Sequence, residues 1–246
     1  MISIVIPVYN AAAYIDDTLS KLITFAQDNL EEFEVILVND GSTDNTFEKL
    51  SIWQSRYSQF RVIDNKTNQG KGGAVKDGVL AAIGEHVLFT DADLPYELNS
   101  IARLPTIFSS GADVVLGART RERESRISND GLRRKMLSKV FAGLANLALY
   151  KPVSDTQCGF KAFAREAAID IFRDIKIKRF CFDVELISLA QAKGYAIAVL
   201  PVLLVNQEKT SVRIGLDGIR MLVDLAKLIA KRYLRRPAAA GRSLRA

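Results

Sequence analysis

The alternation of short apolar runs with stretches of helical pattern most constrains what this chain can fold into. The runs are β-branched and nearly continuous in hydrophobicity, as parallel strands covered on both faces should be. They predict strands at 2–8, 33–40, 60–64, 85–93 and 112–119. The stretches between them predict helices at about 11–28, 43–57, 72–83 and 97–109, with Ser42 or Thr43 capping the second helix. This order indicates an α/β fold with a mostly parallel, Rossmann-like sheet and right-handed crossovers.

The length and the charge distribution indicate one large domain with a basic C-terminal segment. The chain has 246 residues, of which 48% are hydrophobic. We expect a single domain over 1–212, a basic amphipathic helix over 213–236 and a disordered tail over 237–246. Residues 213–246 carry nine Lys and Arg against two Asp, a local charge of +7 that leaves the rest at −1. This argues against a general nucleic-acid surface and for a local anionic partner of the C-terminal segment.

Several features of the sequence indicate where in the cell the protein is expected. No apolar run reaches the ~18–20 residues of a transmembrane helix. The N-terminal MISIVIPVYN lacks the basic region and cleavage site of a signal peptide. Two cysteines, Cys158 and Cys181, suggest neither a disulfide framework nor a zinc site. We therefore expect a reducing cytoplasmic location.

Polar residues and glycines follow the predicted strands where each strand ends. Pro7 and Tyr9 close the first strand, Asp40 closes the second, and the third leads to TNQGKGGAV. The fourth ends in Asp91 and Asp93. Because ligands of open α/β sheets bind beyond the carboxyl ends of the strands, we expect a binding site at this edge.

Asp91 and Asp93 place two carboxylates close together at the end of an apolar strand. Such a pair is tolerated when a divalent cation lies between the carboxylates or when one is protonated. Mg²⁺ and Mn²⁺ take oxygen ligands and commonly bridge to substrate phosphates. The pair therefore suggests a Mg²⁺ or Mn²⁺ site that also holds a diphosphate. The alternative is a solvated turn in which Asp91 caps the following helix.

Asp40 and the segment 68–74 each allow a structural and a binding interpretation. Asp40 either forms an Asx-turn before Gly41 or accepts a nucleobase N–H. The segment NQGKGGA either starts a helix or directs backbone N–H groups and Lys71 at a phosphate. It is not a P-loop, because neither Ser nor Thr follows Gly-Lys. It is not a dinucleotide fingerprint, because position 75 is Val and the loop follows the third strand.

Five motifs occur in an order that is familiar from one enzyme family. They are IVIPVYN, VNDGSTDNT, NQGKGGAVKDG, FTDADL and DTQCGFKAF. Together they make residues 1–212 resemble the family 2 glycosyltransferases of the GT-A fold. GKGGAV, DTQCGFK and RFCFDVEL resemble most the dolichyl-phosphate (polyprenyl-phosphate) β-glucosyltransferases, and the polyprenyl-phosphate mannose synthases are close relatives of these.

The resemblance implies a nucleotide pocket at the first three strand ends. Pro7, Tyr9 and Asp40 would line the nucleoside pocket, with Asp40 reading the base. Lys71 would lie near the nucleotide. Asp91 would lie close to the ribose and the metal.

The resemblance also implies the metal, phosphate and acceptor residues. Asp93 would ligate the metal directly, together with Asp91. Arg119 and Arg134 match arginines that bind phosphates. Asp155 matches the acceptor-loop acid beside the donor sugar, and sequence alone leaves open whether it positions or deprotonates the acceptor.

Further matches and departures concern the donor sugar. Asp183 and Glu185, in FDVEL, match a helix that flanks the site. Leu94-Pro95 follows the paired aspartates, where mannose synthases usually have Gln and close glucosyltransferases often have Asp-Gly. KTSVR replaces a common Gly-Ser-Lys pattern. These departures leave the donor sugar open.

The acceptor chemistry is compatible with a lipid phosphate. A phosphate monoester has a second pKa near ~6, so it can attack an anomeric carbon without a strong base, whereas a hydroxyl would need one. The only histidine, His86, lies inside a predicted strand and is expected to be structural. A single in-line displacement would invert the anomeric centre.

A lipid acceptor requires contact with a membrane, and 213–236 is the candidate segment. Its apolar and basic residues recur near helical spacing, so it can lie in an interface with anionic lipid heads. A terminal helix docked on the sheet with a solvated basic face is the alternative, and both can hold. Arginines in 121–134 either attract the acceptor phosphate or form an exposed loop.

These observations predict a metal-dependent inverting glycosyltransferase. It would move glucose from UDP-glucose to a polyprenyl phosphate, in the cytoplasm or at the inner face of the membrane. The alternatives are a GDP-mannose donor, a saccharide hydroxyl acceptor, or a nucleotide-sugar-binding protein without turnover. A nicotinamide-dependent dehydrogenase is disfavoured, because the first strand does not end in a glycine turn.

Overall fold

The computed structural model describes residues 1–120, 141–179, 181–205 and 216–234, with the backbone alone at 216–220 and 234. The strands within these residues are β1 Ile2–Val8, β2 Phe33–Asp40, β3 Phe60–Asn65, β4 His86–Phe89, β5 Val114–Thr120, β6 Lys161–Ala164 and β7 Ile197–Leu203. The helices are α1 Ile15–Asn29, α2 Thr46–Arg56, α3 Lys71–Ala81, α4 Asn99–Ala102, α5 Leu104–Ser109, α6 (described over 141–147), α7 Arg165–Asp174, α8 Phe182–Ala192 and α9 Leu216–Leu234.

The strands form a seven-stranded sheet in the order β3-β2-β1-β4-β6-β5-β7. β6 runs antiparallel to β4 and β5, and the other neighbouring pairs are parallel. The predicted α/β class with a mostly parallel sheet is confirmed. Because β1, β2, β3 and β4 run in one direction, their carboxyl ends lie at one edge of the sheet.

Apolar side chains cover both faces of the sheet, as the continuous hydrophobic runs predict. Val5 faces one core, which also contains Phe89 and residues of α3, α7, α8 and α9. Its neighbours Ile4 and Ile6 face the other core, with residues of α1, α2 and α5. The alternation follows from the strand period, which points successive side chains to opposite faces.

The structure corrects the predicted end of β4 and the helix predicted over 97–109. β4 ends at Phe89 rather than at residue 93, because the chain turns at Asp91, whose carbonyl accepts the N–H of Leu94 at 3.1 Å. The helix predicted over 97–109 is divided into α4 and α5. The division precedes Pro105, which has no N–H to donate to the preceding turn.

The predicted cap of α2 is also wrong. α2 begins at Thr46, and its N-cap is Asn45 rather than Ser42 or Thr43. The Ser42 hydroxyl instead accepts the backbone N–H of Asn10 at 3.0 Å, so it connects the loops that follow β1 and β2.

The C-terminal segment contains the predicted helix, α9, over Leu216–Leu234. Leu225 and Leu228 are buried against the core, so the helix docks on the domain. None of the helices in the described parts of the chain is both long enough and apolar enough to cross a membrane. The predicted tail over 237–246 lies outside the described residues.

Candidate functional site

The predicted nucleotide residues follow the ends of β1 and β2. Val8 is aligned with Asn39 in the sheet register, so Tyr9 and Asp40 come next to each other along these strands. Tyr9 is 49% exposed, which leaves its ring available to a ligand. Pro7, within β1, is half-buried. The sheet therefore brings the three predicted pocket residues to one edge, and their contact with a nucleoside stays a prediction.

Asp40 holds the loop that leads into α3. Its carboxylate accepts the N–H of Gln69 at 2.7 Å and the N–H of Gly70 at 2.9 Å. Burial raises the pKa of Asp40 above its ordinary value, although these two N–H donors oppose the increase. The carboxylate therefore bonds to this loop and does not form the Asx-turn before Gly41 that was the structural alternative. The side chain of Asn65 is a further hydrogen-bond donor to this carboxylate, and Asp40 is only 3% exposed, so a bond to a nucleobase N–H stays a prediction.

Lys71, the first residue of α3, forms an ion pair with Asp91. Burial lowers the pKa of Lys71, but the carboxylates of Asp91, Asp183 and Asp93 outweigh burial, and the pKa is raised. Lys71 therefore stays protonated and supplies a positive charge at this edge. Gly70, just before it, has φ +89°, a conformation that favours glycine, and its backbone packs against the carbonyl of Lys178.

The donor set at the end of β4 suits a hard divalent cation. Asp91 and Asp93 offer carboxylate oxygens, and Asp91 already contacts the ammonium of Lys71, so this corner stabilises positive charge. No group of three or more His, Cys, Asp or Glu that could hold a metal occurs in the described ranges. Two carboxylates completed by substrate phosphates and water form a common Mg²⁺ arrangement. The residues present therefore fit a cation that is bound together with a nucleotide.

The backbone of Gly159 closes over Asp91. A Cβ at this position would overlap Oδ2 of Asp91 and lie 2.7 Å from its Cγ. The N–H of Gly159 donates to the hydroxyl of the buried Tyr96 at 2.9 Å. The sequence interpretation missed both residues, although the glycine in DTQCGF was a signal that a backbone approaches closely here.

Arg119 and Asp155 form a two-point ion pair. The guanidinium Nε and Nη2 of Arg119 lie 2.6 Å and 2.9 Å from the two carboxylate oxygens of Asp155. Burial raises the pKa of Asp155, but the hydrogen bonds and charge of Arg119 lower it further than burial raises it. Asp155 is therefore ionised at neutral pH and engaged by its partner. Arg119, predicted to bind phosphate, uses its guanidinium to hold this carboxylate, and Arg134 lies outside the described residues.

Asp183 and Glu185, both buried in α8, have different partners. Asp183 pairs with Lys161, a fully buried lysine of β6 that the sequence interpretation missed. Glu185 accepts the N–H groups of Lys176 and Ile177 at 2.9 and 2.8 Å and so holds the loop before α8. Both residues therefore support elements around the site, as expected of a flanking helix.

Comparison with known proteins finds one family model and several proteins that are similar to this chain. The model of the family described as "Glycosyl transferase family 2" matches residues 3–172. The dolichyl-phosphate beta-glucosyltransferase ALG5C of Trichomonas vaginalis is 34% identical over 234 residues, which are 91% of this chain and 69% of that protein. The dolichyl-phosphate beta-glucosyltransferase of Saccharomyces cerevisiae is 32% identical, covering 95% of this chain and 75% of that protein.

Solved structures share the architecture at lower identity. Glucosyl-3-phosphoglycerate synthase from Mycobacterium tuberculosis, crystallised with Mn²⁺, UDP-glucose and phosphoglyceric acid, has a TM-score of 0.64 at 18% identity and covers 94% of this chain and 80% of its own. Residues 1–349 of S. aureus TarS in complex with UDP-GlcNAc have a TM-score of 0.62 at 19% identity and cover 96% of this chain and 67% of their own. At these identities the likeness concerns the fold.

Proposed function

Because the chain belongs to glycosyl transferase family 2, we propose that it transfers glucose from UDP-glucose to a polyprenyl phosphate of the dolichyl type. The chain is a glycosyltransferase with the GT-A fold that its motifs imply. The observation that carries the choice of substrates is the similarity to two dolichyl-phosphate beta-glucosyltransferases over 91% and 95% of the chain.

The donor would bind at the carboxyl ends of β1, β2 and β4. Tyr9 and Asp40 would meet the nucleoside, and Lys71 would provide a positive charge for the diphosphate. The M. tuberculosis and S. aureus neighbours were crystallised with UDP-sugars, which supports a uridine nucleotide. Asp40 would read the base with its carboxylate, which already accepts the N–H groups of Gln69 and Gly70.

Asp91 and Asp93 would hold a Mg²⁺ or Mn²⁺ ion with the donor diphosphate. Bound there, the ion would stabilise the negative charge of the departing nucleoside diphosphate as a Lewis acid. Lys71 would remain beside Asp91 and limit the repulsion between the two carboxylates and the diphosphate. The presence of Mn²⁺ in the M. tuberculosis neighbour supports this assignment.

Asp155 would position the acceptor rather than deprotonate it. Its lowered pKa makes it a weak base, and Arg119 holds both of its oxygens. A lipid phosphate is largely dianionic near neutral pH and needs no such base. A phosphate oxygen would form the new bond to the anomeric carbon while the bond from that carbon to the diphosphate breaks. An α-linked donor would therefore give a β-linked product.

The exposed face of α9 would contact the membrane that holds the acceptor. Leu222, Val223 and Tyr233 are 52%, 47% and 71% exposed, whereas Leu225 and Leu228 are buried. The outward face therefore carries exposed apolar side chains, and this is compatible with a helix that also docks on the domain. Lys227, whose side chain is 73% exposed, accompanies them, whereas Lys231 and Arg232 contact Glu185 and the carbonyl of Leu147 in the domain. An apolar face with a lysine beside it suits the surface of an anionic bilayer.

A panel of labelled donors against a polyprenyl phosphate tests the proposal. With Mn²⁺ present, we expect label to move from UDP-glucose to the lipid as a β-linked glucosyl phosphate. Transfer from GDP-mannose alone would instead favour a mannose synthase. Transfer only to a soluble saccharide hydroxyl would exclude the lipid acceptor. Binding of UDP-glucose without any transfer would indicate a binding protein.

A further inference from the structure

Lys161 and Asp183 form an ion pair in the interior of the domain. Their side chains are 0% and 5% exposed, and Nζ of Lys161 lies 2.7 Å from Oδ1 of Asp183. The same ammonium donates to the carbonyl oxygen of Cys158 at 2.6 Å and lies 5.6 Å from the ring centre of Phe89. A buried charge is costly unless it is paired and hydrogen-bonded, so Lys161 depends on both oxygen partners.

The Cys158 carbonyl belongs to the turn 155–159, which is attached to the site at both ends. At one end Arg119 holds Asp155. At the other end Gly159 packs on Asp91 and donates its N–H to Tyr96. Lys161 therefore holds, from the interior, the turn that connects Asp155 to Asp91.

We propose that Lys161 and Asp183 are positioning residues that fix the turn 155–159 so that Asp155 and Asp91 keep their relative placement. The inference rests on the proposed transfer reaction and extends it to two side chains that need not touch a substrate. An uncharged pair of similar size, Met with Asn, would fill the same volume but would leave the Cys158 carbonyl without its donor. The double substitution therefore separates the contribution of this pair to core packing from its contribution to the position of the turn.

The test compares Lys161→Met, Asp183→Asn and the double variant with the wild-type protein. Each single variant leaves an unpaired buried group, so we expect its thermal midpoint to fall by about 10 °C or more. The double variant should recover part of this loss. We expect kcat to fall at least ~10-fold in all three variants, because small misplacements of reacting groups are costly. The affinity for UDP with Mn²⁺ should change less than about 3-fold, since Lys71 still holds Asp91.

Amide hydrogen exchange provides a readout that does not depend on turnover. The N–H groups of Gln157 and Gly159 are bonded within the turn or to Tyr96, and we expect both to exchange at least ~10-fold faster in the double variant. Lys193→Met is the matched control, because Lys193 pairs with Asp170 and Asp174 away from this turn. It should change neither kcat nor these two amides.

A double variant with recovered stability, wild-type kcat and unchanged exchange would overturn the proposal. Should the Lys161 and Asp183 variants fail to fold, Tyr96→Phe removes the acceptor of the Gly159 N–H with little change in volume. We expect it to lower kcat at least ~3-fold, and wild-type kcat in that variant would also overturn the proposal. Absence of transfer by the wild-type protein would count against the proposed function alone, and amide exchange would then decide the positioning role.

Discussion

The ammonium of Lys71 contacts Oδ1 of Asp91 across the gap between the start of α3 and the turn after β4. The two side chains are 25% and 29% exposed, so water reaches the pair and a ligand can as well. Lys71 therefore supplies the positive charge beside Asp91 when no other cation is bound. It would have to share this carboxylate with any metal ion that Asp91 and Asp93 bind.

This competition predicts opposite effects of Lys71→Met on the metal and on the nucleotide. Without nucleotide, Mn²⁺ should bind up to about 5-fold more tightly, the range expected for a partly exposed ion pair. UDP should bind more weakly, because its diphosphate loses a positive charge. Titration calorimetry measures both. Lys49→Met, which removes the surface pair with Asp16, is the control, and weaker Mn²⁺ binding by Lys71→Met would contradict the competition.

Asp93→Asn tests the metal assignment itself. The substitution keeps the shape of the side chain and removes the charge that would hold the cation. We expect Mn²⁺-dependent turnover to fall at least ~100-fold while the thermal midpoint stays within a few degrees. Asp28→Asn, at an exposed position of α1, is the matched control. Turnover that survives in the Asp93 variant would remove Asp93 from the metal site.

The sequence was sufficient for the strands that build the parallel half of the sheet. β1 and β2 have the predicted boundaries, since runs such as ISIVIPV are too continuous in hydrophobicity for another interpretation. β6 was missed because KAFA has only four residues and begins with a lysine. The burial of this lysine, Lys161, depends on its ion pair with Asp183. Asp183 lies in a helix that is distant in the sequence, so no local pattern reveals the pair.

The site was predictable in its residue types and much less so in its pairings. Asp91, Asp155 and Arg119 were predicted as groups that meet ligands, and this stays a prediction. The structure pairs Asp91 with Lys71 and Asp155 with Arg119. Such pairings depend on how helices and loops pack, and sequence spacing does not contain this information.

Gly159→Ala tests the close approach of the turn to Asp91. The added methyl group would overlap a carboxylate oxygen of Asp91, so either the turn or the carboxylate must move. We expect a loss of stability of about 1–3 kcal/mol and a clear loss of Mn²⁺ affinity, measured by chemical unfolding and calorimetry. Gly143→Ala in α6 is the control, because nothing lies within 4 Å of its Cβ position. It should be neutral or slightly stabilising. Equal behaviour of the two variants would contradict the prediction.

The Arg119–Asp155 pair predicts how stability changes with pH. The pKa of Asp155 is lowered in the folded protein, so its ionised form stabilises the fold above the unfolded pKa of about 3.9. This contribution is lost as the pH falls through the lowered folded pKa. Because Arg119 is 42% exposed, the pair is worth only about 1 kcal/mol or less.

Arg119→Gln should therefore lower the thermal midpoint by about 2–4 °C at pH 7. The difference in thermal midpoint between the variant and the wild-type protein should shrink as the pH approaches 3. Arg119 lowers the pKa of Asp155, so Asp155 becomes protonated in the variant before it does in the wild-type protein. Thermal unfolding at several pH values between 7 and 3 measures this trend. A difference that stays constant over that range would mean that the arginine acts through packing and not through the charge of Asp155.

Replacing the outward apolar residues of α9 should reduce binding to membranes without unfolding the domain. Leu222→Glu with Val223→Glu changes two exposed side chains and leaves the buried Leu225 and Leu228 in place. Because burying one such side chain is worth about 1.5–3 kcal/mol, we expect at least a ~10-fold loss of binding to vesicles containing anionic lipid, measured by co-sedimentation. Ile52→Glu in α2, with an exposure of 47% that matches Val223, is the control and should bind like the wild-type protein.

Transfer assays show what this binding contributes to turnover. If transfer to a polyprenyl phosphate in vesicles falls with binding while transfer to detergent-dispersed acceptor is retained, α9 contributes by bringing the active site to the bilayer. Unchanged vesicle binding by the double variant would show that the acceptor is reached through another surface.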